Sequence, residues 1–444
     1  MDMGASDRFF YYVLSGSSTL DIRVKLTFRE PFDIAAMKAA ADEALEYIPE
    51  FNKRIVLYNG RPEAVKGSGD VRFIPFAKDR VIDLGSDETN GLLFYFAYTE
   101  RALISSVYHG LTDAKGLTEY LRTMMYLYLK KKGISLSSEE EAEAASMIRT
   151  EKGLPPDADR DDLFAPYDKH GDPSVKPSYI YEDQGVFRIP ETPYDKKCGY
   201  AHMSRISLSF SDVDELRKRT ETSMLPLLTD IVASAVREAF GSGDEPVVIM
   251  SAVDQRRCLG SDTLVNCSDS IFFAHSSELA ERPVKDRCAE LKASMKRQLA
   301  AENHIKMAGD KVMTVREFEK DPSGAAGFSR RLENMSAADN FNPMTLISTI
   351  TGSLSMGAAD RFLEDAEVSV AENACCSLLV SWFADKMHIT AANQSDSCEF
   401  AAGIVSELEK RGVNAVIVSE EREYYDIFNY EYIENINSES EGKL

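Results

Sequence analysis

Apolar residues along this chain recur in two different periods, and the alternation between them lays out an α/β protein. Short apolar or alternating runs at Phe9–Leu14, Thr19–Phe28, Phe51–Leu57, Val71–Phe76, Leu92–Tyr98 and Ala102–Tyr108 predict strands. Asp33–Tyr47 has helical spacing with Asp33 as its N-cap, and Gly116–Lys131 sets Leu117, Tyr120, Leu121, Met124 and Tyr128 on one face. Between about residues 132 and 197 the periodicity lapses. Seven prolines stand there among Asp and Gly, which predicts a crossover carrying one short helix near Glu139–Thr150. The α/β pattern then resumes with strand Ala201–Phe210, helices Ser211–Arg219 and Leu225–Phe240, and strand Pro246–Val253. A basic amphipathic helix at Pro283–Ala300, a strand at Met344–Thr349, a hairpin at Ser377–Asn393 and a helix at Glu399–Arg411 complete it.

The two hairpins repeat one another. A shift of 285 residues carries the Glu100 turn onto Asp385, His109 onto Gln394 and Asp113 onto Cys398, with a helix following in both places. Strand, turn, strand, loop and helix in one order argue for a duplicated unit. The expected division is 1–185 and 186–444, with one active centre between the copies, because only the first keeps His and Asp.

Composition narrows the function. A net charge of −22 disfavours nucleic acid and anionic lipid as partners. The N-terminus carries Asp2 and Asp7 where a signal peptide is basic, and no apolar run approaches the length of a transmembrane span. Seven scattered cysteines include no C-x-x-C pair, so neither a disulfide framework nor a zinc site is indicated and a cytoplasmic protein is expected. The adjacent Cys375 and Cys376 read as packing residues of a strand.

The chemistry centres on His109, at the end of a strand and ahead of a helix, in Tyr108-His109-Gly-Leu-Thr-Asp113-Ala-Lys-Gly116. Strand ends deliver side chains into clefts, and imidazole is the side chain suited to proton transfer near neutral pH. Asp113 also suits the N-cap of the following helix. The other histidines, 170, 202, 275, 304 and 388, lack such a setting.

This segment resembles the His-x-x-x-Asp-Gly motif of the chloramphenicol acetyltransferase-like superfamily, which includes condensation domains, alcohol acyltransferases and wax ester synthases. Ile48-Pro-Glu-Phe-Asn-Lys-Arg54 is similar to the family's early Pro-x-Phe-x-x-Arg, and Asp254-Gln-Arg256 followed by Asn266 to its Asp-x-Arg and Asn. Leu346-Ile-Ser348-Thr-Ile-Thr-Gly352 is similar to its late strand ending in a Gly turn. Two departures stand out: Ala114 replaces the usual Gly after Asp, and Tyr108 replaces the first of the paired histidines of condensation domains.

The resemblance implies an α/β sandwich of two homologous halves forming a pseudo-dimer, with the active-site channel between them. It implies an acyltransferase with His109 as general base, moving an acyl group from acyl-CoA to a hydroxyl or amine without a covalent intermediate, metal or bound cofactor. Asp113 would pair with Arg256 to shape the loop, and Gly116 would let loop and helix pack closely. Ser348, Thr349 and Thr351 are candidate oxyanion donors because related acetyltransferases place a hydroxyl on a comparable strand; Asn266 and Tyr108 are pocket candidates. The acceptor would be a small or lipid-like molecule. The alternatives are a stand-alone condensation-type enzyme served by a carrier protein, for which Lys285, Lys292, Lys296 and Arg297 offer a basic patch, and a degenerate scaffold.

Overall fold

The computed structural model of the protein describes residues 5–13, 21–153, 165–171, 185–190, 200–334, 344–370, 376–393, 399–424, 426–430 and 433–436. The first lobe runs through helix α1 (Ala5–Val13), β1 (Asp21–Phe28), α2 (Ile34–Tyr47), β2 (Lys53–Tyr58), β3 (Arg61–Lys66), β4 (Phe73–Pro75), β5 (Phe94–Tyr98), β6 (Ala102–Tyr108) and α3 (Ala114–Lys131). Helix α4 (Ser138–Met147) opens the crossover. The second lobe begins with β7 (Tyr200–Ser209), α5 (Phe210–Arg219), α6 (Met224–Phe240), β8 (Val247–Asp254), α7 (Arg256–Leu259) and β9 (Ser268–His275). Helices α8 (Ser277–Ala280), α9 (Val284–Gln298), α10 (Ala301–Glu319) and α11 (Gly324–Asn334) follow. It closes with β10 (Leu346–Ser353), β11 (Leu363–Val370), β12 (Cys376–Phe383), β13 (Lys386–Asn393), α12 (Glu399–Lys410), β14 (Ala415–Tyr424) and β15 (Asn435–Ile436).

The duplication is visible in the sheets. In the first lobe β1-β6-β5-β4 lie side by side, antiparallel, antiparallel and parallel. In the second β7-β13-β12-β10 repeat the same order and directions. Helix α2 packs on α3 as α6 packs on α12, so each sheet buries one face under the equivalent pair. The strands of the two hairpins end in step under the 285-residue shift, but only Ala384 and Asp385 separate the second pair, so its register differs by two residues. Gln394 and Cys398 lie outside the described residues.

The lobes trade chain. Strand β11, from the second half of the sequence, pairs antiparallel with β1 at the edge of the first sheet. Its alternation explains why: Ala366 and Val368 face the core beside Val24 and Leu26, while Glu367 stands opposite Lys25 and bonds its ammonium at 2.9 Å.

Phe9–Leu14 corrects the sequence reading: residues 9–13 belong to helix α1, and Leu14 falls outside the described residues. Its aromatic run lacks alternation because the helix is covered on several sides. Phe9 and Tyr12, three apart, both meet Phe318, while Tyr11 packs on Tyr108 and Phe428.

A buried clasp ties residue 426 to the first lobe. Asp426 accepts bonds from the Ile82 N–H (2.8 Å), the Tyr95 hydroxyl (2.9 Å) and the Ser106 hydroxyl (2.6 Å), and Arg23 Nε bonds the neighbouring Asp21 at 2.6 Å. Burial pushes the Asp21 pKa up to about 6 despite Arg23, and Asp426 adds to the rise. The folded protein therefore holds a proton that the unfolded chain releases near 3.8. This contribution to stability is complete below that value and declines as pH rises through about 6. Chemical denaturation across this range should show Asp21→Asn flattening the decline; an unchanged slope would assign it to other groups.

Candidate active site

Strand β6 and helix α3 fix the two ends of the loop that carries His109. The Asp113 side chain caps α3, accepting from the Lys115 (3.1 Å) and Gly116 (3.2 Å) amides, so the helix begins one turn after the strand stops. Within that turn His109 Nδ1 lies 3.0 Å from the Thr112 carbonyl oxygen. A carbonyl only accepts, so Nδ1 carries a proton, and in the neutral imidazole the lone pair is on Nε2. No protein group among the described residues bonds Nε2. The imidazole stacks on Phe10 with centroids 6.2 Å apart and planes inclined by 19°.

Asn266 holds this arrangement from behind. Its Oδ1 accepts from the Ser268 amide (3.1 Å) and hydroxyl (2.7 Å), which sets the direction of the carboxamide. Its Nδ2 then donates to the His109 carbonyl oxygen at 2.8 Å. Nδ2 also approaches Nδ1 at 3.1 Å, but with Nδ1 already a donor that contact is not a hydrogen bond.

Asp113 meets Arg256 as the sequence reading expects. Arg256 Nη2 lies 2.9 Å from Oδ1 and 2.8 Å from Oδ2, with both side chains buried, and the Cys267 amide donates to Oδ2 at 3.0 Å. Arg256 also bonds the Thr263 and Val265 carbonyls and Asp254. Burial alone would depress its pKa, but the Asp113 and Asp254 carboxylates more than offset this. Cap and ion pair are the same carboxylate, joining the two lobes behind His109.

Gly116 is required by space. A Cβ there would stand 2.2 Å from both the Leu264 carbonyl oxygen and the Thr112 hydroxyl, which already share a 2.6 Å bond. Gly116→Ala should therefore push α3 off the 264–267 segment and cost about 1–3 kcal/mol. A variant with the wild-type denaturant midpoint would contradict this.

His109 opens onto a cavity of about 950 Å³ between the lobes, walled by α1, the start of α3, the ends of β8 and β9, α10 and β10. Thr349 and Thr351 line it, whereas Ser348 is turned to the opposite face of β10 and buried. The Thr351 hydroxyl donates to the Val380 carbonyl at 3.2 Å, and no bond engages that of Thr349 among the described residues. Tyr108 and Asn266 are placed otherwise than as cavity walls: Tyr108 is buried against Phe428 and bonds the Phe10 carbonyl at 3.1 Å, and Asn266 stands behind the histidine. Sequence reasoning passed over Thr112 and Phe10, and no motif marks either. Helix α10 also went unassigned, although Met307, Ala308, Lys311, Val312 and Val315 form a helical stripe.

The sequence matches no protein-family model and no curated protein. Solved structures match over nearly its whole length. Polyketide synthase associated protein 5 from Mycobacterium tuberculosis is 13% identical, with 92% of this chain and 96% of that one covered at a TM-score of 0.57. TRI101 of F. graminearum, solved with coenzyme A and T-2 mycotoxin, is 12% identical over 94% and 99% at 0.58. The epimerization domain of the third module of tyrocidine synthetase B is 12% identical over 93% and 94% at 0.64. The protein thus shares the two-lobed α/β fold of these structures. Among the described residues no helix is long and apolar enough to cross a membrane.

Proposed function

We propose that the protein is an acyltransferase that moves an acyl group from a thioester, in the first place acyl-CoA, to the hydroxyl or amine of a small or lipid-like acceptor. The observation that carries this reading is the tautomer of His109: Nδ1–H is committed to Thr112, leaving a basic Nε2 on an inter-lobe cavity. The acceptor's proton passes to Nε2 as its oxygen or nitrogen attacks the thioester carbonyl. The carbonyl oxygen becomes an oxyanion, for which the Thr349 hydroxyl is the unengaged donor on β10. Collapse breaks the C–S bond, and His109 returns the proton to the leaving thiolate. Asp113 and Arg256 are positioning residues, since their bonds run to the loop and not to the cavity.

Acyl-CoA as donor is supported by the neighbouring fold of TRI101, solved with coenzyme A. Ala114 does not favour the scaffold alternative, because it occupies the first turn of α3, where alanine suits the helix. Thioester consumption with acetyl-CoA and longer acyl-CoAs, across a panel of alcohols and amines, tests the proposal. Enzyme-dependent turnover that His109→Ala lowers by about 10²-fold or more supports it; equal turnover in both proteins rejects it.

A further inference from the structure

The charges lining the cavity are unevenly compensated. On the second-lobe side every formal charge has a partner: Arg256 with Asp113 and Asp254, Lys311 with Asp269 at 3.1 Å, and Asp310 with Lys306 at 2.6 Å. On the α3 wall Lys115, Glu119 and Arg122 line the cavity, and neither cation has an ion partner within 4 Å among the described residues, although the Glu119 carboxylate between them compensates both in part. The two cations lie seven residues apart on one helix face, about 10 Å along the axis.

Arg122 is anchored through one nitrogen only. Its Nε donates to the Ser355 carbonyl at 2.8 Å, which anchors the guanidinium against the segment following β10. Nη1 and Nη2 have no hydrogen-bond partner among the described residues. A half-buried fork with two free donors matches two oxygens of a phosphate or carboxylate. The nearest carboxylates do not fill that role. Both oxygens of Asp360 are taken by the Ser355 hydroxyl and the Met356 amide. Glu119 leans towards Arg149, 3.9 Å away, and burial raises its pKa. Burial also lowers the Arg122 pKa, the mark of a cation whose neighbours compensate it incompletely.

We propose that Arg122 and Lys115, on the α3 wall opposite the end of β10, form the subsite that binds the phosphates of the thioester donor. This rests on the thioester reading above and deepens it, since it divides the cavity into a phosphate end and an acceptor end under α1 and α10. A protein of net charge −22 repels an anionic donor at long range, so a local pair of incompletely compensated cations is what capture requires.

Calorimetric titration with coenzyme A, 4′-phosphopantetheine and pantetheine tests it without turnover. Wild type should bind coenzyme A about tenfold or more tightly than pantetheine at low salt. Arg122→Met, which keeps the aliphatic stem but gives up the bond to Ser355, should lose most of that preference while its pantetheine affinity stays unchanged at temperatures where the variant is fully folded. Lys115→Met should lose a smaller part, and Arg122→Lys should regain some. Inorganic pyrophosphate should compete with coenzyme A in wild type and far less in Arg122→Met. Equal binding of coenzyme A and pantetheine by wild type, an undiminished preference in Arg122→Met, or no binding of coenzyme A overturns the subsite. The first two outcomes leave the acyltransferase reading intact, because that is decided by His109-dependent turnover.

Discussion

His109→Ala lowers kcat for acyl transfer by about 10²–10⁴-fold, the range that a positioned general base contributes, while the KM for the thioester changes little. The expectation follows from the geometry of one ring. Nδ1–H is spent on the Thr112 carbonyl, so alanine removes the Nε2 lone pair without exposing a buried charge. The imidazole is partly exposed and stacked on Phe10, so its loss leaves the core intact and the melting temperature near that of wild type. Thiol release followed over time, with folding checked by circular dichroism, separates chemistry from stability. A large fall in KM-linked binding with kcat preserved would make His109 a substrate-holding residue and remove its role as base.

Breaking the Asp113–Arg256 pair has the largest expected effect on stability. Arg256→Met leaves the buried Asp113 carboxylate without its cation and takes hydrogen bonds from the Thr263 and Val265 carbonyls. Removal of one partner of a buried pair costs about 3–5 kcal/mol. Asp113→Asn should cost less, because one amide oxygen can still accept from the Lys115, Gly116 or Cys267 N–H groups. The double variant should be less destabilised than the sum of the two, as expected for groups in direct contact. Activity falls with stability here, but through the loop: Thr112, whose carbonyl orients His109, is the residue before Asp113. A positioning role therefore predicts a lower kcat and an altered pH–rate profile in Asp113→Asn, at temperatures where the variant is fully folded. An unaltered profile would reduce Asp113 to a helix cap.

The parts of the molecule legible in the sequence are those fixed locally. Asp33 caps α2 through the Ala36 amide, as its spacing indicates, and the hairpin β5–β6 and helix α3 stand where the apolar pattern puts them. What was not legible depends on partners far along the chain. Residues 9–13 read as a strand because aromatic residues favour strands; Phe318 and Phe328, more than 300 positions away, make them a helix. Strand β11 is absent from the strands the apolar pattern predicts, because Glu367 in its middle finds its partner in Lys25, 342 positions away. Likewise the Asp113–Arg256 pair was expected from a motif, but the reason Gly116 must be glycine lies in the carbonyl of Leu264, which no motif marks.

The exchange of β11 has a consequence for biosynthesis. Strand β1 acquires β6 early in translation, but its other edge waits for residues 363–370, and the Asp21 clasp waits for Asp426. A nascent chain emerged only as far as the crossover carries an unsheltered sheet edge, the kind of surface that recruits chaperones or stray strands. The sheet of the first lobe is thus completed only by residues 363–370. The cavity wall at Val370, the last residue of the exchanged strand, is assembled only after that residue has been made.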